Sequence, residues 1–289
     1  MFDRYVVVDW SANSTPKLGR DSIWIAVTDA AGYSVRNLPT RAAAVAFLVD
    51  LIDAAATQST LLGVDFSLGY PAGTARALGL DGTAWSATWE LLARMISDDD
   101  RNANNRFAVA SDLNARLTGG AAPFWGCPPN RAGDHLTPTK PAPTGDLGSW
   151  RTVEAVLRSQ GRRPFSSWQL LGAGAVGSQS LLGVPRLHRL RARFGDRIEV
   201  WPFTTGLVAP APIAGSVVVA EVWPSMLPVD DVDGVVRDAA QVTEMARWLA
   251  EADREGRLGS LFEPQLTASV AEIAVAEEGW VLGVSQGVT

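Results

Sequence analysis

The chain contains a single cysteine, Cys127, and only two lysines, Lys17 and Lys140, among 289 residues. One cysteine excludes an internal disulfide and any zinc site built on two or more thiolates, and it suits a reducing compartment. No window approaches the roughly 18 uninterrupted apolar residues of a membrane span, so no membrane partner is expected. The first residues enter a strand directly, without a basic start, apolar run and cleavage site, which predicts a cytoplasmic protein with no export signal. A basic surplus is also missing. The net charge is −6, whereas a protein built to hold long nucleic acid carries a positive balance. There is no G-x-x-x-x-G-K-[ST] phosphate loop, no G-x-S-x-G elbow and no repeat of 20–50 residues.

What is present is enough for a sizeable core. Hydrophobic residues make up 47% and charged residues 19%, which argues against wholesale disorder. The length suits one large domain, 1–289, with two segments of different character. Residues 98–150 begin with the charged run DDDRNANNR and continue, past a short helical piece around Asp112–Leu117, into a Gly/Pro-rich stretch. A loop of that length predicts an insertion acting as a lid, which Phe124 and Trp125 would pack down. Residues 151–197 hold nine arginines against Glu154 and Asp196. This reads as an Arg-rich insertion with a solvated helical face.

The periodicity predicts an α/β fold. Residues 4–12, 21–29 and 33–38 read as strands, the last two joined at Ala31-Gly32. Thr40 is an N-cap candidate for the helix RAAAVAFLVDLIDAAA. LLGVDFS (61–67) is a nearly continuous apolar strand of the kind covered on both faces. Further strands are expected at 198–203 and 217–224, with helices at 83–96, through VEAVLRSQ, after Gly177, through RDAAQVTEMARWLAEADREG and over PQLTASVAEIAVAEEG. Tight connections make the first three strands antiparallel, and a helical crossover makes the fourth parallel to the first. This is the ribonuclease H-like mixed sheet with helices on both faces, in which strands one and four are neighbours.

In that arrangement Asp9 and Asp65, in DWS and DFS, end adjacent strands spaced ~4.8 Å apart. Two carboxylates held together repel, and a hard divalent cation removes the conflict; Mg2+ or Mn2+ accepts one or two carboxylates plus water. Glu221, near the end of another strand, and Asp238, at the start of the following helix, complete the expected set. Asp9, Asp65, Glu221 and Asp238 are thus candidate metal ligands and catalytic residues for phosphodiester cleavage by activated water.

VVVDWSA, LLGVDFSLGYPAG, AEVWPSML and RDAAQVTEMARWLA resemble the acidic strands and closing helix of the ribonuclease H-like DUF429 group of predicted nucleases. Where that group's closing helix carries a second acid, Gln241 and Thr243 stand here. Longer members carry cobalamin or molybdopterin biosynthesis labels. The resemblance implies a divalent-metal-dependent nuclease or phosphodiesterase. The acidic balance points it to a short nucleic acid or a nucleotide-like small molecule. Two alternatives stand beside it. One is a non-hydrolytic ligand-binding protein of a cofactor pathway on the same fold. The other is an actin-like ATP-dependent kinase relative, which also places an Asp after its first strand.

Competing signals are weaker. GAGAVG, Gly172 to Gly177, matches G-x-G-x-x-G, but Glu199 opens the next strand rather than closing it, and Val184-Pro185 is expected to interrupt the helix. What remains is a backbone anion site at Gly174, Gly177 and Ser178. Cys127 reads as a small apolar loop residue with His135 nearby in sequence, and His188 as a surface residue of the Arg-rich helix. Lys140 is a candidate to reach a phosphate from the lid, and Trp10 and Trp125 to stack a base.

Overall fold

The computed structural model describes residues 1–143, 145–172, 175–230 and 233–286. Its centre is one six-stranded sheet formed by β1 (Arg4–Asp9), β2 (Ile23–Asp29), β3 (Gly32–Leu38), β4 (Thr60–Val64), β5 (Ile198–Val200) and β6 (Val217–Glu221), in the order β3-β2-β1-β4-β6-β5. β1–β2 and β2–β3 pair antiparallel, while β1–β4, β4–β6 and β5–β6 pair parallel. The helices are α1 (Arg41–Ala54), α2 (Thr74–Ala77), α3 (Ala84–Met95), α4 (Arg106–Thr118), α5 (Thr152–Ser159), α6 (Val176–Phe194), α7 (Arg237–Arg254), α8 (Leu258–Leu261) and α9 (Ala268–Ile273). Thr40 caps α1 as its sequence suggests, its hydroxyl accepting from the Ala43 N–H at 3.1 Å. None of the described helices is long and apolar enough to cross a membrane.

The sheet is covered on both faces because its central strands are apolar at nearly all of their inner positions. In β1, Val6 and Val8 enter a core with α1, α3, α4 and α6, while Tyr5 and Val7 enter a second core with α5 and α7. Alternation along a strand therefore decides which layer each residue meets.

Several expectations change. The apolar run WQLL (168–171), which precedes GAGAVG and reads as a strand, forms none; Gln169 makes one isolated bridge with Trp125. Segment 98–150 is packed down, with residues of α4 and the buried Phe124, Cys127 and Leu136 joining the first core. Its helix is longer than the piece read at 112–117, and its polar residues are used inside: Asn114 accepts from the Phe124 N–H (2.8 Å) and donates to the Phe124 carbonyl (2.9 Å). Pro185 lies inside α6 and does not end it. An interior proline costs about 3 kcal/mol, but α6 buries Leu181, Leu182, Val184, Leu187 and Leu190, each worth ~1.5–3 kcal/mol. Burial outweighs the break.

α6 is seated on the end of β4 through Gly183. A Cβ there would lie 2.3 Å from Phe66 Cζ. Gly183→Ala would gain about 1 kcal/mol of helix propensity, yet it must displace a buried ring, which costs ~1–3 kcal/mol. A net loss of stability is expected in urea titration. A variant as stable as the parent would show that α6 is not clamped at this point.

Candidate active site

β1 and β4 run parallel with Val8 opposite Val64. One step further along, Asp9 stands opposite Asp65, and alternation puts both on the face of Tyr5, Val7 and Leu61. α7 lies across this face and brings Asp238 in its first turn to the same cleft. The carboxyls of Asp9 and Asp65 are within hydrogen-bonding reach of one another.

The two acids are held unequally. Asp65 Oδ1 accepts the Trp10 N–H at 2.8 Å. Gln179 of α6 donates through Nε2 to the Trp10 carbonyl at 2.5 Å and reaches Asp65 Oδ2 at 3.4 Å. Burial pushes Asp65 up, to about 6, while the bonds from Asp9 and Trp10 pull it back. Burial pushes Asp9 well above the usual carboxylate range, and the charge of Asp65 pushes it further. Both shifts point upward, so the two carboxyls titrate as a pair that resists carrying two full charges. Asp238 and Asp21 add negative charge nearby. Asp21 sits in the left-handed region at φ 54°, where Asp is enriched among non-glycine residues, and its N–H donates to Asp238 Oδ2 at 2.7 Å.

Glu221 lines the same cleft but is paired with Arg151 rather than with the two aspartates. Val64 is opposite Glu221 in the β4–β6 ladder, so Val222, not Glu221, is level with Asp65. Glu221 belongs to the alternate face, with Val217 and Val219. There it meets Arg151, which donates from Nη1 to Oε2 at 2.8 Å and from Nη2 to Oε1 at 2.5 Å. The Leu68 N–H adds a third bond to Oε2 at 3.2 Å. A carboxylate so engaged is neutralised by its guanidinium and does not serve as an ion ligand. Among the described residues, no group of three or more His, Cys, Asp or Glu side chains is arranged to hold a metal.

The cleft around these groups has a volume of about 680 Å³. Its lining mixes the acids Asp9, Asp65, Asp238 and Glu221 with the cations Arg20, Arg106 and Arg151. Comparison with protein-family models, curated proteins and solved structures finds no match. The chemistry of this cleft is therefore argued from its own residues.

Of the remaining candidates, Gly174 lies outside the described residues. The Gly177 N–H is spent on the Gln169 carbonyl at 2.9 Å. A Cβ at Gly177 would fall 2.5 Å from Ser167 O, so close packing accounts for that glycine. Ser178 Oγ donates to the Leu170 carbonyl at 2.6 Å and accepts from Arg106 Nε at 2.9 Å. Cys127 is buried, and burial raises its thiol pKa, which makes it a poor nucleophile. Lys140 lies 5.4 Å from the Trp150 ring centre and does not line the cleft. Trp10 packs at 5.9 Å against Phe66. Asp21, Arg106, Arg151 and Gln179 had no signal of their own in the sequence; each acquires a role only through tertiary neighbours.

Proposed function

We propose that the cleft is a divalent-cation site on a ribonuclease H-like fold, and that the protein cleaves a phosphodiester bond in a short nucleic acid or nucleotide-like substrate. The observation that carries this reading is the meeting of Asp9 and Asp65 at the ends of adjacent parallel strands, where burial and mutual repulsion raise their pKa values. The sheet order, three antiparallel strands followed by parallel ones, supports it.

The donor set suits Mg2+ or Mn2+. Such ions take oxygen ligands, retain several waters and need only one or two carboxylates. Asp9 and Asp65 would hold the ion, with Asp238 at the cleft wall contributing charge. With Glu221 engaged by Arg151, the set fits one ion better than two. A bound ion would neutralise the pair and polarise a phosphate oxygen. The chain itself keeps Asp65 oriented through Trp10 N–H and Gln179, and the pair gives up bound protons when the ion enters.

Calorimetry with MnCl2 tests this. Wild type should bind with proton release to the buffer, and affinity should rise with pH through about 6, where Asp65 titrates. Asp65→Asn should lose binding by at least about a hundredfold, following the loss of a charged ligand. Unchanged binding in Asp65→Asn, or no binding to wild type, rejects the site. Manganese binding without hydrolysis of short oligonucleotides would favour a ligand-binding protein on the same fold. That second reading draws on the small size of the ligand set left once Glu221 is withdrawn.

A further inference from the structure

Arg106, the first residue of α4, is only 7% exposed yet forms no ion pair among the described residues. Its Nε donates to Ser178 Oγ at 2.9 Å, and its Nη1 donates to Ser14 Oγ at 3.0 Å and Asn104 Oδ1 at 2.8 Å. The guanidinium carbon stands 4.3 Å from the Phe107 ring centre. These contacts fix the plane of the group. Nη2 makes no hydrogen bond among the described residues, while Arg106 lines the cleft.

Among the described residues, Asp98 is the carboxylate whose charge favours this cation, and it is already claimed. Arg41 donates to it at 2.8 and 2.5 Å, and Arg186 at 3.2 and 2.9 Å. Three guanidiniums thus share one acid. Burial pulls Arg106 down, to about 10, and Arg41 pulls it further. A buried, fixed cation without a counter-charge is costly unless an anion arrives to complete it.

The same place meets the start of a helix. Ser178 lies in the first turn of α6, a helix of 19 residues, whose amino end favours negative charge. Gln179, the next residue, touches Asp65. Arg106 is therefore linked through two consecutive residues of α6 to the acid pair. Along the rim, Phe165 and Leu171 are 42% and 44% exposed. An apolar wall of this kind suits the face of a base or another flat organic group more than a free inorganic ion.

We infer that Arg106, with the amino end of α6, is a phosphate-binding subsite of this cleft, and that it receives a phosphate group of a nucleotide-like substrate. The inference rests on reading the cleft as a phosphodiester site and adds what the substrate must present there. Gly177 is not among its donors, because its N–H is already satisfied.

The test is calorimetry in EDTA, with inorganic phosphate, adenosine 5′-monophosphate and adenosine as probes. Wild type should bind the monophosphate more tightly than phosphate, and adenosine least. Arg106→Gln should weaken the monophosphate on the order of tenfold to a hundredfold, the range for losing a charged hydrogen-bonding partner. Arg106→Lys keeps the charge without the fork, and it should lose roughly tenfold. Because Arg106 is buried, circular dichroism accompanies each variant, and Arg106→Lys decides if Arg106→Gln does not fold. Equal binding by wild type and Arg106→Lys, adenosine bound as tightly as its monophosphate, phosphate bound without the monophosphate, or no binding at all would each overturn the subsite. Since no metal is present, loss of the manganese site would leave these outcomes readable.

Discussion

Asp9→Asn is expected to raise the melting temperature at pH 8 while abolishing manganese binding. Both aspartates have folded-state pKa values above the ~3.8–3.9 of a free aspartate. The folded protein therefore binds more protons than the unfolded chain above about pH 4, and stability falls as pH rises. The favourable contribution is complete below the unfolded pKa and is lost as pH climbs through the folded values, which for Asp65 means about 6. For Asp65 alone a shift of that size corresponds to on the order of 3 kcal/mol. Asparagine at position 9 keeps a donor for Asp65 and removes the repulsion. At pH 8 the variant should melt higher by at least ~4 °C, with the difference shrinking toward pH 4. Adding MnCl2 should stabilise wild type at pH 8 and leave Asp9→Asn unmoved, because only an ion that binds the folded state shifts the melting temperature. A variant that melts at or below wild type at pH 8 would mean that the pair is not in conflict, and the argument for an ion between them would fail. The trade is the one expected of a functional site, where stability is given up for a strained group.

The central sheet was legible because its signals are local. VVVD and LLGVD are apolar at consecutive positions, Thr40 caps the helix between them, and a helical crossover makes neighbours parallel. Those facts alone bring Asp9 level with Asp65. Glu221 was misplaced for a reason of the same kind but not visible locally. Its strand type is right, yet a one-residue step in the β4–β6 register sends its side chain to the other face. The Arg-rich segment misled in the opposite sense. A run of arginines reads as a solvated face, but Arg151 is 1% exposed and Arg186 bonds Asp98. Their partners, Glu221 and Asp98, are 70 and 88 residues away in sequence, beyond any periodicity. Segment 98–150 reads as a lid because Gly and Pro hide its core residues, and α4 opens with an arginine whose side-chain partners include Ser14 and Ser178, distant in the chain.

Arg151→Met should be the most destabilising single substitution in the molecule outside the central strands, with an expected loss of ~3–5 kcal/mol. Among the described residues, Arg151 is the one cation paired with Glu221 and Glu154, both nearly inaccessible. Its Nε donates to Glu154 Oε1 at 3.0 Å, and its Nη1 also donates to the Glu278 carbonyl at 2.9 Å. This ties α5, β6 and the chain after α9 together. One cation cannot neutralise two acids. Glu221 has the two-pronged contact, and burial pushes the Glu154 carboxyl up, to about 7, against the pull of Arg151. Methionine fills similar space but leaves both carboxyls without a counter-charge, and each must then be protonated or unfold the region. The deficit should therefore be large at pH 8 and shrink as pH falls. Arg151→Met combined with Glu221→Gln should recover part of it, since removing both partners of a buried pair costs less than removing one. Chemical denaturation at pH 5.5 and pH 8 distinguishes this from simple loss of packing, which would be equal at both. If Arg151→Met costs under about 1 kcal/mol, the surface-pair range, then Glu221 is not held by Arg151 in solution. It would be free to swing past the strand end toward Asp65, and the one-ion site proposed for the cleft would have to become a larger one.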